Sequence, residues 1–225
     1  MTTRDASGAD DYRMLLTVIA GISLGVAATA LPALIEGPFL DWTYAAKVVM
    51  WFTGVAANVL EYLAVSFGSR LYLTRVEVFA TASLALVFLA QAGLFVVLSR
   101  GRDDLLATRW FSVFAIFCLL AALEADHGRR MIVRYAGNRF PTGVVEEYAR
   151  SLGQVVVLLL VSASVSVGFA VAGQWAPDWL VFVFALAALG VIVAANVQQE
   201  RTRHTLAAHG VIPGRHLTGE PPAEG

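Results

Sequence analysis

The stretch Lys47–Phe67, KVVMWFTGVAANVLEYLAVSF, decides the fold of this chain. A helix of about 20 apolar residues crosses the ~30 Å hydrocarbon core of a bilayer, and this stretch is long enough to do so. Its two charged residues and its one amide fall on one narrow helical stripe, and the other faces are largely apolar. The stripe consists of Lys47, Trp51, Gly54, Asn58 and Glu61. The stretch therefore predicts a membrane-spanning helix with a single polar stripe.

Glu61 is the residue of this helix that most needs an explanation. An acidic side chain at the centre of a membrane helix costs about 2.5–3.5 kcal/mol on insertion scales. Such a group needs a partner, a proton or a water-filled cavity. Asn58 lies one turn before Glu61 on the same stripe and offers an amide to a cation or solute. The structural alternative is an ion pair with Arg70 or Arg75 in the link that follows.

The composition of the whole chain agrees with a membrane location. The chain is 58% hydrophobic and 15% charged, whereas soluble domains have about 25% charged residues. Cys118 is the one cysteine, which excludes an intrachain disulfide and a cysteine-cluster metal site. Fifteen of the sixteen basic residues are arginine, and alanine, valine and glycine are abundant, which is typical of a GC-rich bacterial genome. We therefore expect a multi-pass protein of a bacterial plasma (inner) membrane.

Apolar segments along the chain predict an all-α integral membrane protein with six transmembrane helices in three hairpins. The transmembrane domain is predicted over 12–198, with spans at about 14–35, 47–67, 76–98, 105–123, 152–173 and 180–197. Residues 1–11 are polar and acidic, and we predict that they are disordered. A basic cytoplasmic connection, 124–151, is predicted to contain a turn at 138–141 and an interfacial helix from about Val144. Residues 199–225 are predicted as a helical extension and a disordered tail.

The basic residues also predict the orientation. Twelve of the sixteen lie in the N-terminal segment, the links between spans two and three and between spans four and five, or the C-terminal tail. The other four lie on the opposite side. The positive-inside rule then places both termini in the cytoplasm.

The first span has a second interpretation. Arg13, an apolar run and Ala28-Thr29-Ala30 are similar to a secretory signal with an A-x-A cleavage site. Against cleavage, the segment before it holds Asp10 and Asp11, and the apolar run continues to Ile35. A retained span is therefore favoured, and the predicted orientation of the later spans is the same in both cases.

Polar residues of spans two, three and four can face a common interior. The candidate pathway residues are Glu61, Asn58, Glu77, Gln91, Arg109 and Glu124. Residues near helix ends can also reach the headgroups by snorkelling, and Asn58 and Gln91 can join helices through hydrogen bonds worth about 0.6–2 kcal/mol. A carboxyl and an amide on one face are typical of pathways for protons, cations or small solutes. The leading hypothesis is therefore a channel or secondary-transporter subunit.

The basic connection supports a competing hypothesis. Its arginines Arg129, Arg130, Arg134 and Arg139 are candidates for contact with anionic lipid headgroups or a cytoplasmic partner. Each arginine near an anionic bilayer surface contributes about 1 kcal/mol of attraction. The protein would then be a non-transporting scaffold or anchor, although the same arginines also serve as an ordinary topology signal.

Other classes of function have little support. All four histidines lie outside the predicted spans, which argues against bis-histidine haem and a membrane-embedded zinc protease. No nucleophile-elbow, P-loop or dinucleotide motif stands in the right context, so a non-enzymatic function without cofactor or metal is favoured. Nucleic-acid binding is also disfavoured, because the sequence predicts no folded basic domain. Small-residue stripes, such as Gly21 and Gly25 in G-x-x-x-G spacing, suit either packing within the chain or a homo-oligomer.

Overall fold

The computed structural model describes residues 3–35, 41–72, 78–100, 105–135 and 142–208. These residues form α-helices and one 3-10 turn, with no strand among them. The helices are α1 (Thr3–Thr29), α2 (Leu31–Ile35), α3 (Trp42–Tyr72), α4 (Val78–Ser99), α5 (Leu106–Tyr135), α6 (Thr142–Ala172) and α7 (Asp178–Ala208), and the turn is Gly173–Trp175. Six stretches of this described chain are long and apolar enough to cross a membrane, which confirms the predicted class and number of spans.

The spans of the structure agree in position with the predicted ones and extend beyond several of their ends. They are Met14–Ile35, Trp42–Phe67, Ala80–Ser99, Leu106–Arg134, Gly143–Trp175 and Asp178–His204. Helix α6 is unbroken, so the interfacial helix expected from about Val144 and the fifth span are one element. No proline interrupts this sequence, and an established helix adds further residues at little cost. The turn expected at 138–141 lies outside the described residues.

The N-terminal part of the structure differs from the prediction made from composition. Helix α1 begins at Thr3, so residues 3–11 are helical rather than disordered. A helix nucleated in the apolar segment can propagate into them because no proline stands there. At the other end, α1 stops at Thr29 and α2 contains Pro32. Proline lacks a backbone N–H and its ring clashes with the preceding turn, which accounts for the break.

Packing between the helices leaves each of the six spans with at least one neighbour. The most extensive contact is between α5 and α6, followed by α3 with α7 and α4 with α5, while α1 packs on α4 and α3. Trp51 of α3 donates from its Nε1 to the carbonyl oxygen of Ala27 at 3.0 Å and so joins α3 to α1. One cluster of buried apolar side chains runs through most of the bundle, and a smaller one joins α1 to α4.

Aromatic rings fill one end of this cluster. Trp110 stacks on Phe114 with ring centroids 5.1 Å apart, and Phe169 stacks on Phe184 at 4.0 Å. Phe111 meets the edge of Phe169 at 4.7 Å and so connects the two stacks. We call this region, which contains these five residues, the aromatic end of the bundle.

Glycine has two different roles in the spans. A Cβ added at Gly54 would lie 2.8 Å from two ring atoms of Phe95, so the absence of a side chain is what lets α4 approach α3. Gly21 and Gly25 are exposed, and an added Cβ at either would have no heavy atom within 4 Å. Their G-x-x-x-G spacing is therefore not used for packing within the described chain.

Candidate functional site

A cavity of about 70 Å³ lies between α3, α5, α6 and α7, at the end of the bundle opposite the aromatic end. Its polar lining residues come from four helices: Glu61, Glu124, Tyr148, Ser151, Gln199, Thr202 and Arg203. A volume of this size holds more than one water molecule, since one water needs about 10–15 Å³ by the same measure. We call this space the polar cavity and the surrounding region the polar end.

Two carboxyl groups from different helices share the polar cavity. Glu61 of α3 is partly buried, and Glu124 of α5 is 9% exposed. The two are close enough to interact electrostatically. Ser83 of α4 donates from its Oγ to a carboxyl oxygen of Glu124. No hydrogen bond and no ion pair joins Glu61 to another side chain of the described chain. The side chains of Arg70 and Arg75, the alternative partners named from the sequence, lie outside the described residues.

Hydroxyl and amide groups hold the opposite wall of the cavity together. The Thr202 hydroxyl donates to the Ser151 hydroxyl at 2.6 Å, and both residues are buried. Close by, Gln198 Nε2 donates to Gln154 Oε1, also at 2.6 Å. Both hydrogen bonds join α7 to α6, and the first holds its two hydroxyl groups in the cavity lining.

Arg203 is a basic residue in the cavity lining, but it is paired elsewhere. Its guanidinium group lies 3.0 Å from a carboxylate oxygen of Glu200 and 4.9 Å from the centroid of the Phe67 ring. Phe67 in turn lies 6.5 Å from the Tyr148 ring, measured between centroids. Arg203 therefore neutralises neither Glu61 nor Glu124 by a direct ion pair.

Glu61 also lines a second cavity of about 40 Å³. The two cavities share five lining residues, namely Glu61, Ala121, Val155, Leu159 and Gln199. Ala57, Leu60 and Asn196 are among the residues that line only the second one. The Glu61 side chain therefore lies where the two spaces adjoin, with the second cavity extending from it along α3 towards Asn58.

Asn58 and Gln91 form a buried amide pair rather than part of the cavity wall. Asn58 Nδ2 donates to Gln91 Oε1 at 3.0 Å, and both side chains are 0% exposed. The remaining polar atoms of the pair, Asn58 Oδ1 and Gln91 Nε2, have no hydrogen-bond partner among the described residues. The interpretation of these two residues as a link between helices thus agrees with their observed contact.

The other predicted site residues do not line the cavity or lie outside the described chain. Arg109 is exposed near the start of α5. Arg129 and Arg130 both pair with Asp126, at 2.6 and 2.5 Å, and Arg134 is exposed one turn further on. The last two predicted residues, Glu77 and Arg139, lie outside the described residues.

Sequence reasoning missed the contribution of α6 and α7 to the cavity. Tyr148 and Ser151 belong to a segment that the sequence places outside the spans, and Gln199, Thr202 and Arg203 follow the sixth predicted span. The signal that identifies them is helical spacing, since Asn196, Gln199 and Arg203 recur every three to four residues along α7. When polar residues share one face of a helix that continues past its apolar segment, that face is a candidate lining of a water-filled cavity.

Beside the Arg203 guanidinium group, the polar lining of the cavity offers the oxygen atoms of two carboxyl groups, three hydroxyl groups and an amide. Such a set suits protons, hard cations or small polar solutes. No group of three or more histidine, cysteine, aspartate or glutamate side chains that suits a metal ion occurs in the part of the chain that the structure describes. Comparison with protein-family models, with curated proteins and with solved structures finds no match for this chain.

Proposed function

We propose that this protein is a small channel or secondary-transporter subunit that moves a proton, a cation or a small solute through the bundle, with Glu61 in the pathway. The main support is the position of Glu61. Its carboxyl group lies between two adjoining cavities and has no hydrogen-bond or ion-pair partner among the described side chains.

The energetics of a buried carboxyl support this role. A carboxyl group inside a membrane helix is costly and marks a pathway more often than a packing position. Two carboxyl groups that share one site repel each other when both are charged, so the site takes up a proton or a cation. Glu61 and Glu124 form such a pair at the polar cavity. Their hydroxyl and amide neighbours supply further ligands for the bound species.

The arginine distribution assigns the polar end to one side of the membrane. Twelve of sixteen basic residues belong to the predicted inner side of the membrane. The described ones among them include Arg129 and Arg130 of α5 and Arg203 of α7, which lie at the polar end. By the positive-inside rule the polar cavity faces the cytoplasm of a bacterial inner membrane, with both termini on the same side. The aromatic end then faces outwards, and the protein is in a conformation whose cavity is on the inner side.

The exposed small residues suggest how copies of this protein associate. Gly21 and Gly25 leave a smooth face on α1, and Gly168 and Gly190 are likewise exposed on α6 and α7. Small residues let membrane helices approach closely. A homo-oligomer packed through these faces is therefore part of the proposal.

A scaffold or anchor remains the competing function. The observation in its favour is the row of arginines at the end of α5, where the Arg130 side chain is 75% exposed and Arg134 is also exposed. Anionic headgroups or an acidic cytoplasmic partner would bind there. Asp126 lowers the net charge of this surface because it pairs with both Arg129 and Arg130.

Flux through the purified protein in liposomes tests the proposal. We expect the native chain to conduct or exchange protons or alkali cations, and Glu61→Gln to reduce that flux at least tenfold while folding is unchanged. Glu147→Gln is the matched control, because Glu147 is an exposed carboxyl group on α6 that does not line either cavity. Equal flux in the Glu61→Gln variant and the native protein would exclude Glu61 from the pathway.

A further inference from the structure

The amide pair of Asn58 and Gln91 is incompletely bonded in a place that the bilayer cannot hydrate. Both side chains are 0% exposed. One hydrogen bond joins them, and it leaves the acceptor Asn58 Oδ1 and the donor Gln91 Nε2 without a partner among the described residues. A buried polar atom without a partner destabilises the folded protein, because it has lost its hydrogen bonds to water. Two such atoms on adjoining side chains indicate a ligand that satisfies both.

Water is the ligand that fits this combination. A water molecule accepts a hydrogen bond from Gln91 Nε2 and donates one to Asn58 Oδ1, as buried waters do for other unpaired polar groups. If the oxygen and nitrogen positions of both side-chain amides are exchanged, the pair still has one unpaired donor and one unpaired acceptor. A bare cation fits poorly, because it would be attracted by one oxygen and repelled by the neighbouring N–H groups.

The amide pair lies directly beyond the Glu61 cavities. Asn58 is one helical turn from Glu61 on α3, and its neighbours Ala57 and Leu60 line the second cavity. One turn further, the Phe95 ring closes on Gly54. Phe95 and Trp110 are each 0% exposed, so rings occupy the interior in this direction. A hydrated alkali cation has no comparable space here, whereas a proton needs only hydrogen-bonded groups.

Two further buried polar atoms without a hydrogen-bond partner among the described residues lie near the start of α5. Trp110 Nε1 and Thr108 Oγ1 are buried and have no hydrogen-bond partner among the described residues. Both lie on α5, towards its start and therefore away from Glu124. Unpaired polar atoms thus occur on α5 as well as at the amide pair, and the buried Thr53 hydroxyl on α3 is bonded to the Val49 carbonyl oxygen.

We propose that the species moved through the Glu61 site is the proton, and that a water held between the Asn58 and Gln91 amides is the next station after Glu61. This inference rests on the proposed function. The Glu61 carboxylate accepts a proton from a hydronium ion in the polar cavity, which becomes water, and gives that proton to the water at the amides. This water releases one of its protons to the next hydrogen-bonded water or hydroxyl group towards the aromatic end. The carboxylate and the amide water are then restored, and the net change is the movement of one proton.

The test compares ion selectivity and two double variants in liposomes that contain the purified full-length protein. Internal dyes report protons, Na⁺ and K⁺ under an imposed potential. We expect proton flux in the native protein without comparable Na⁺ or K⁺ flux. Asn58→Leu with Gln91→Leu removes both amides at similar volume, which is nearly neutral for stability, and should reduce proton flux at least tenfold. Asn58→Ser with Gln91→Ser leaves room and hydroxyl groups for water, and should retain most of the flux.

Each outcome has a distinct meaning, provided that thermal unfolding shows both double variants to be folded. Glu61-dependent flux of Na⁺ or K⁺ without proton flux would overturn the proton assignment and leave the proposed function intact. No flux of any species by the native protein would overturn both. Proton flux at the native level in the folded double-leucine variant would remove the amide water from the pathway while Glu61 keeps its role.

Discussion

The two ends of the bundle solve the problem of filling a membrane interior in opposite ways. At the aromatic end, rings from α5, α6 and α7 stack at centroid separations of 4.0 to 5.1 Å. At the polar end, the same helices enclose a cavity of about 70 Å³ bordered by carboxyl, hydroxyl and amide groups. The same helices therefore carry aromatic side chains that pack densely at one end and polar side chains that line a cavity at the other.

This division has an energetic reason. Lipid tails are as apolar as a protein core, so association of membrane helices depends on close packing and interhelical hydrogen bonds. Stacked rings supply close packing at the aromatic end. The polar end relies on interhelical hydrogen bonds, such as those of Thr202 with Ser151 and of Ser83 with Glu124. We therefore expect stability to come chiefly from the aromatic end and selectivity from the polar end.

The largest loss of stability is expected from Phe169→Ala. Phe169 is 5% exposed, stacks on Phe184 at 4.0 Å and meets Phe111 at 4.7 Å, so truncation leaves a cavity among rigid rings. Such truncations cost about 3–5 kcal/mol in soluble cores, and the packing part of that cost remains in a bilayer. We expect a loss of about 2 kcal/mol or more, measured by reversible unfolding in mixed micelles.

Phe52→Ala is the matched control for this prediction. Phe52 is 54% exposed and contacts Trp51 edge-on at 5.2 Å, so lipid can replace most of what the ring touches. We expect a change of less than about 1 kcal/mol. Equal losses in the two variants would mean that the stacked rings add nothing beyond lipid contact, and the comparison between the two ends would fail.

The fold was largely predictable because a membrane imposes a strong rule on the sequence. Each span must be about 20 apolar residues long, and hydrogen bonding within the backbone makes it helical. The segment from Met14 to Ile35 was therefore located to the residue. Helix ends were harder to predict, because continuation of α6 back to Thr142 depends on local propagation of the helix and not on hydrophobicity.

The candidate site was predictable only in part, for a different physical reason. Glu61 and Glu124 stood out because a charge in an apolar segment is costly, and both do line the cavity. Ser151 and Thr202 carry no such cost and occur outside the predicted spans. Their role depends on which helix faces which, since α6 and α7 must pack with these residues opposed. A single sequence contains no direct signal for that choice.

A smaller loss of stability is expected at the boundary between the two ends. In Gly54→Ala the new Cβ would lie 2.8 Å from the Phe95 ring, which is 0% exposed and has little room to move. Overpacking of this kind costs about 1–3 kcal/mol. The control Gly21→Ala adds a methyl group with no heavy atom within 4 Å. Its midpoint of thermal unfolding in mixed micelles should therefore equal that of the native protein or be higher. If both variants unfold at the native midpoint, the close approach of α3 and α4 is not a packing constraint.

The smallest effect is expected at the polar end, from Thr202→Val. Valine has nearly the same shape as threonine but cannot donate to the Ser151 hydroxyl, which now accepts at 2.6 Å. Interhelical hydrogen bonds in membrane proteins contribute about 0.6 kcal/mol on average and at most about 1.7 kcal/mol. A double-mutant cycle with Ser151→Ala isolates the coupling between the two hydroxyl groups from other effects of each change. A coupling larger than the loss in Phe169→Ala would reverse the assignment of stability to the aromatic end, because hydrogen bonding and not ring packing would then hold α6 and α7 together.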